Sequence, residues 1–107
     1  MTPRRALTIG CVFAATAVVA GALGAHALAD TLSAAQLEAW RTAALYQLAH
    51  AIALVALAQS RRWNPTLARG AALLAWGVVA FSGSIYALSL GGPRWLGPIT
   101  PLGGMAW

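Results

Sequence analysis

Long apolar runs separated by short polar segments form the main pattern of this chain. The first run extends uncharged from residue 6 to 25, and two more follow the polar stretches near residues 31–40 and 60–66. A helix needs about 20 predominantly apolar residues to cross the hydrocarbon core of a bilayer. The pattern therefore predicts an all-α, multi-pass transmembrane helical bundle in one domain, residues 1–107. Three full spans are expected at about 6–27, 42–60 and 68–90, and the start of a fourth helix at 98–107.

Composition agrees with a membrane-embedded chain. Hydrophobic residues make up 60% of the sequence and charged residues only 8%, whereas soluble domains carry about 25% charged residues. In a soluble protein, the formal net charge of +5 would suggest nucleic-acid binding. Here the arginines stand at the ends of apolar runs, so we expect the lipid bilayer as partner and no nucleic acid. The sequence suggests no cofactor and no metal.

The distribution of arginine predicts the orientation of the chain. Cytoplasmic segments of membrane proteins carry an excess of basic residues. With a cytoplasmic N-terminus, the inner segments hold five arginines and the outer segments hold two together with both acidic residues. The inner set is Arg4, Arg5, Arg61, Arg62 and Arg69, and the outer set is Arg41 and Arg94.

The first apolar run has two alternative interpretations. Ala25-His26-Ala27 resembles a signal-peptide cleavage site, but the run exceeds the 7–15 residues typical of such signals and further spans follow it. We therefore favour a retained span. The single cysteine, Cys11, excludes an intramolecular disulfide and is expected to be a small buried apolar residue.

Small residues recur along one face of the first helix. At about 100° per residue, Gly10, Ala14, Ala17, Gly21 and Gly24 share a narrow sector. Such faces let transmembrane helices approach closely. Although alanine and glycine are abundant throughout the chain, we interpret this set as a helix-packing face.

The connection after the first span holds the candidate interfacial groups. His26 and Asp30 are four residues apart and form an interfacial pair, either as a local hydrogen bond or cap, or in proton or ligand handling. Ser33 and Gln36 fit a capping box that starts the second helix before the membrane. Trp40 is expected at the membrane interface.

Polar side chains in the middle of spans two and three form the main candidate site. Tyr46, Gln47 and His50 point within about a quarter of the circumference of span two, and Ser82 and Tyr86 share one face of span three. Counted from the arginines that flank the intervening turn, both sets fall at matching depths. Polar groups inside a membrane face protein and are functional candidates. The cluster is interpreted as a hydrogen-bonded zipper or, alternatively, as a polar pocket or proton route.

Four motifs occur in order along nearly the whole chain: Gly21-Ala22-Leu23-Gly24-Ala25-His26, Tyr46-Gln47 with His50-Ala51, Phe81-Ser82-Gly83-Ser84 with Tyr86, and Ile99-Thr100-Pro101-Leu102-Gly103-Gly104. Together they resemble the YgdD-like family of small bacterial inner-membrane proteins. The resemblance implies four transmembrane helices, a location in the bacterial inner membrane and no established activity, since the family is a domain of unknown function. Ala27 stands where glycine is expected.

We consider three classes of function. The leading hypothesis is a structural or regulatory partner of a membrane complex, or a homo-oligomer, because small-residue faces and short loops favour association. The alternative is an oligomeric carrier or proton-linked transporter that uses the mid-membrane cluster. An enzyme is not expected, because the sequence offers no nucleophile–base–orienter set and no mid-membrane carboxylate.

Overall fold

A computed structural model describes residues 1–89, which form three α-helices and, over that range, no strand. The helices are α1 (Pro3–Ala25), α2 (Ala34–Ala58) and α3 (Pro65–Ser89). All three are long and apolar enough to cross a membrane. The predicted all-helical, multi-pass architecture is confirmed at this level, whereas the helix predicted at 98–107 lies outside the described residues.

Side-chain caps begin all three helices. Thr2, Ser33 and Asn64 each accept a hydrogen bond from the backbone amide three residues later, at 3.2, 3.2 and 2.9 Å. The amides of a first helical turn have no partner within the helix, so these caps satisfy them. At Ser33 the predicted capping box is complete, because the Gln36 side chain accepts from the Ser33 amide at 2.9 Å. Each helix start is thus specified locally.

Helix α2 occupies the centre of the described bundle. Both α1 and α3 pack against it, and they meet each other only sparsely. One apolar cluster, at the end that holds the N-terminus, contains Ala6, Leu54, Ala71 and Ala75. A second, near the opposite end, contains Ala20, Trp40 and Ala44. Along α2, Gln47 of the candidate site lies between these two clusters, and Tyr86 of α3 packs against the second.

The predicted small-residue face of α1 lies against α2 at two of its glycines. A Cβ atom added at Gly10 would lie 2.7 Å from Val55 Cγ2, and one at Gly24 would lie 2.8 Å from Trp40 Cδ1. Both distances are far below ordinary van der Waals contact. At Gly21 the same atom would meet nothing within 4 Å. Close approach therefore depends on Gly10 and Gly24, with Ala17 also buried and Ala14 half-buried.

The outward faces are strongly apolar. Val18, Leu45 and Trp76 are 63%, 65% and 70% exposed in the isolated chain. Large apolar side chains on every helix face are expected of a protein solvated by lipid tails. Cys11 also lies on an exposed face, so the expectation that it is buried was wrong. Its place on the outside follows from the rotation of α1, which presents glycine and alanine to α2.

Candidate functional site

Gln47 is the centre of a polar network that joins all three helices. Its side chain is 5% exposed. The amide nitrogen Nε2 donates to the Phe13 carbonyl at 2.8 Å and to Thr16 Oγ1 at 2.7 Å, both on α1. The amide oxygen Oε1 accepts a hydrogen bond from the Tyr86 hydroxyl of α3 at 2.9 Å. One side chain of α2 therefore bonds to both of its neighbouring helices.

Thr16 extends the network into the backbone of α1. Its hydroxyl accepts from Gln47 and donates to the Val12 carbonyl four residues earlier, at 2.9 Å. A threonine in a helix often bonds back to its own preceding turn in this way. The donors run in one direction, from Tyr86 to Gln47 to Thr16 to Val12. Because each donor has an acceptor, the network avoids the several kcal/mol that an unpaired polar group costs in lipid.

Two further interhelical hydrogen bonds lie on one side of Gln47, toward the start of α2. Ser82, which is almost completely buried, donates from Oγ to the Ala43 carbonyl of α2 at 2.9 Å. The indole Nε1 of Trp40 donates to the Ala20 carbonyl of α1 at 2.7 Å. Trp40 also packs on Tyr86 with ring centroids 4.6 Å apart. The indole is buried, at 4% exposure, in a slot that Gly24 leaves open. Its position at the membrane interface stays a prediction.

Tyr46 and His50 lie in a second group, beside this network. The Nδ1 of His50 is 2.7 Å from the Tyr46 carbonyl oxygen of its own helix, to which it donates in the tautomer that carries the proton on Nδ1. The Tyr46 ring meets the rings of Phe81 and His50 edge-on, with centroids 5.5 and 6.3 Å away. The five predicted residues are therefore divided. The structure brings Gln47 and Tyr86 into direct contact, places Ser82 beside them, and gives Tyr46 and His50 aromatic and local contacts.

The depth match predicted between the two spans was wrong by about two helical turns. Ser82 lies opposite Ala43 and not opposite His50, a difference of seven residues along α2, or roughly 10 Å. The prediction counted depth from Arg61 and Arg69. Helix α2 ends three residues before the first and α3 begins four residues before the second. Tyr86 nevertheless reaches Gln47, because side chains on a helix lean toward its N-terminus.

His26 and Asp30 do not share a helical face. Helix α1 ends at Ala25, and His26 is its C-cap residue, with its backbone amide bonded to the Ala22 carbonyl at 3.0 Å. Both side chains are exposed, and within residues 1–89 no hydrogen bond or ion pair joins them. The turn that follows α1 separates them.

A groove of about 230 Å³ reaches the network between α1 and α3. Thr16 and Phe13 line it from α1, Gln47 forms its floor, and Ser82 and Tyr86 line it from α3. It exists because α1 and α3 both pack on α2 without closing on each other. The arrangement can offer hydroxyl and amide groups to a bound molecule, but among these residues it supplies no carboxylate, thiol or imidazole.

Sequence reasoning missed Thr16 and three backbone carbonyls. Thr16 had a signal, because only two hydroxyl-bearing residues interrupt the first apolar run and the other, Thr8, lies near its start. The carbonyl acceptors are those of Phe13, Ala20 and Ala43. They carry no signal, since every residue has a carbonyl and only the rotation of the helices selects which one is used.

Comparison with known proteins identifies the family. The profile of a family described as "Protein of unknown function (DUF423)" matches residues 20–104. The UPF0382 membrane protein SSP2132 of Staphylococcus saprophyticus is 40% identical over 100 residues, covering 92% of this chain and 83% of that protein. The UPF0382 membrane protein YwdK of Bacillus subtilis is 36% identical over 104 residues, covering 94% and 85%.

The UPF0382 inner membrane protein YgdD of Escherichia coli is similar over the whole chain. It is 35% identical over 109 aligned positions, which cover all of this chain and 83% of YgdD. No solved structure shows a significant match. The resemblance inferred from the four sequence motifs is confirmed. The chain therefore belongs to the DUF423 family of membrane proteins of unknown function.

Proposed function

We propose that this protein is a structural or regulatory partner of a larger membrane complex. One observation carries the proposal: the polar side chains of the network are used to join helices. Gln47, Ser82 and Trp40 each bond to a neighbouring helix. Interhelical hydrogen bonds of this kind contribute about 0.6 kcal/mol each in membrane proteins. A network whose groups are paired in this way favours a packing role over chemistry.

The exposed faces support association. Trp76, Leu45 and Val18 stand outward on three different helices. Van der Waals packing and lipid release drive transmembrane helices together, so such faces suit a partner helix as well as lipid. The proposed location is the bacterial inner membrane, with the N-terminus in the cytoplasm, which rests on the five arginines that this orientation places inside.

Purification at native expression level in a mild detergent tests the proposal. We expect the tagged protein to elute in a complex well above its own mass of 11.0 kDa plus detergent. Cross-linking in intact cells before extraction controls for loss of a weak partner. Recovery of a lone monomer after both procedures contradicts the proposed role.

A small oligomeric carrier or proton-linked transporter is the second candidate. The groove that reaches Gln47, Ser82 and Tyr86 favours it, because polar residues at membrane depth often mark substrate or proton routes. Three or four helices are too few to enclose such a route, so the carrier would have to assemble from several copies.

The double substitution Tyr86→Phe with Ser82→Ala removes two hydroxyls from the groove. His50→Ala removes the imidazole that lies three residues after Gln47 on α2. Transport or proton-flux phenotypes of cells with equal protein levels provide the measurement. If none of these variants changes any such phenotype, the carrier hypothesis is rejected. A loss confined to these variants favours the carrier. An enzymatic role is not part of either proposal, because the site holds no nucleophile with a general base.

A further inference from the structure

A second groove runs between α1 and α3 toward the end that holds the N-terminus. Its volume is about 340 Å³ and its lining is almost wholly apolar: Met1, Ile9, Phe13, Ala75, Trp76 and Val79. Phe13 and Val79 also line the groove at Gln47, so the two cavities adjoin. Within the described residues nothing fills it, and Trp76 on its rim is 70% exposed.

Basic residues lie beside the end of this groove that is nearest the N-terminus. Ile9 also lines a neighbouring depression of about 350 Å³ that contains Arg4, Arg5, Thr2 and Thr8. Arg5 and Ile9 are one turn apart and share a face of α1. Across the cleft, Arg69 stands two turns before Trp76 on the same face of α3. Two arginines of α1 line the neighbouring depression, and the helical spacing places Arg69 on the face of α3 that bears Trp76.

No acidic side chain neutralises these arginines. The chain has only two acidic residues, Asp30 and Glu38. Both lie near the far end of the bundle, which α1 with its 23 residues places roughly 30 Å away. Within residues 1–89 neither Arg4 nor Arg5 makes a side-chain hydrogen bond or an ion pair with protein. The positive charge beside the groove is therefore available to an external anion.

We propose that this cleft binds one anionic phospholipid. Its phosphate lies among Arg4, Arg5 and Arg69, and one acyl chain follows Ile9, Phe13 and Val79 into the cleft. Basic pockets between transmembrane helices recognise anionic headgroups, and guanidinium groups match phosphate oxygens in a bidentate fashion. A free phosphate ion would use the arginines alone, whereas the adjoining apolar groove fits a molecule that carries both parts. The inference does not depend on the proposed partner role.

Native mass spectrometry of the full-length protein in detergent, titrated with phosphatidylglycerol or phosphatidylcholine, tests the site. Detergent solution removes any effect of the substitutions on membrane orientation. For Arg4→Gln with Arg5→Gln, we expect phosphatidylglycerol affinity to fall by about five-fold for each arginine removed. The matched control is Arg61→Gln with Arg62→Gln, which removes the same charge from the exposed α2–α3 turn, at the same end of the bundle. This control should leave the affinity nearly unchanged.

A second pair of variants tests the apolar part of the cleft. Val79→Phe places a ring in the groove, and Val18→Phe makes the same change at an exposed site that lines none of the three cavities. Only Val79→Phe should reduce lipid occupancy, with helical content by circular dichroism equal in both. Equal losses in the two arginine variants, equal losses in the two valine variants, or no preference of the wild type for phosphatidylglycerol would each overturn the proposal.

Discussion

At the scale of single residues, Gln47 alone makes three interhelical hydrogen bonds. Its two amide protons and its carbonyl oxygen bond to two helices, so its removal leaves a threonine, a tyrosine and a backbone carbonyl with fewer partners. A glutamine in lipid is costly when it is unpaired. Its presence here is consistent with the requirement that all of its polar atoms be satisfied.

Replacing Gln47 by leucine should destabilise the bundle by about 1–2 kcal/mol, because three interhelical bonds are lost while shape is nearly kept. Reversible unfolding in mixed micelles gives the measurement. Gln59→Leu is the control, since that side chain is exposed and, within residues 1–89, bonds only to the Val55 carbonyl of its own helix, at 3.4 Å. If both variants lose the same stability, the network contributes nothing specific.

The glycines of α1 differ in what surrounds them, which gives a second test at this scale. Gly10→Ala should destabilise by about 1–3 kcal/mol, because the new Cβ would meet Val55 Cγ2 at 2.7 Å and the Ala51 carbonyl oxygen at 3.1 Å. Gly21→Ala should be neutral or slightly stabilising, since its surroundings are open and alanine favours a helix. Thermal unfolding followed by circular dichroism distinguishes the two. A stable Gly10 variant would show that α1 and α2 can move apart without loss.

At the scale of elements, residues close in sequence determine where each helix begins. The pairing of one helix with another depends on residues far apart in sequence. Thr2, Ser33 and Asn64 cap their helices from within a few residues, so the capping box at Ser33 could be predicted from sequence alone. The pairing of α2 with α3 could not. It depends on where α3 begins, and Arg69 proved to lie one turn inside that helix.

Removal of the Ser33 hydroxyl tests the local part. Ser33→Ala should cost about 1 kcal/mol, because the amide of Gln36 loses its acceptor. Hydrogen exchange should accelerate in residues 34–36 and stay unchanged in α1. Thr31→Ala is the control, as its side chain is exposed and makes no hydrogen bond within residues 1–89. Unchanged exchange in the Ser33 variant contradicts a capping role.

Some contacts had no sequence signal at all. The sequence predicts Trp40 at the membrane interface because tryptophan is common there. Nothing near Trp40 in the sequence reveals that Gly24, sixteen residues earlier, leaves a slot for its indole. The sequence also gives no indication that the Ala20 carbonyl accepts the hydrogen bond of the Trp40 indole. By contrast, Gly10 and Gly24 could be found, because small residues on one helical face carry a periodic signal.

At the scale of the whole molecule, charge separates along the bundle. Arg4 and Arg5 lie at one end, with the turn that contains Arg61 and Arg62, and the acidic residues lie at the other. The Trp63 indole joins the α2–α3 turn to the N-terminus by donating a hydrogen bond to the Met1 carbonyl at 3.2 Å. A molecule built this way should insert in one orientation.

Labelling of single cysteines in intact cells tests that orientation. In a Cys11→Ser background, Asp30→Cys should react with a membrane-impermeant maleimide, and Ser60→Cys should react only after lysis. The two sites lie in the turns at opposite ends of the bundle, and each serves as the control for the other. The reverse pattern would place the N-terminus outside and contradict the positive-inside assignment.

The nitrogen and the oxygen of the Gln47 amide bond to different helices, which implies an order in which the helices come together. A chain is synthesised from its N-terminus, so α1 already exists when α2 leaves the ribosome, whereas α3 does not. The donors of Gln47 can meet Phe13 and Thr16 at once, but its oxygen must wait for Tyr86. We therefore expect α2, the least apolar of the three described helices, to enter the membrane before the Gln47 oxygen has its partner. The arrival of α3 supplies that partner, so the Tyr86 hydroxyl reports the pairing of α2 with α3.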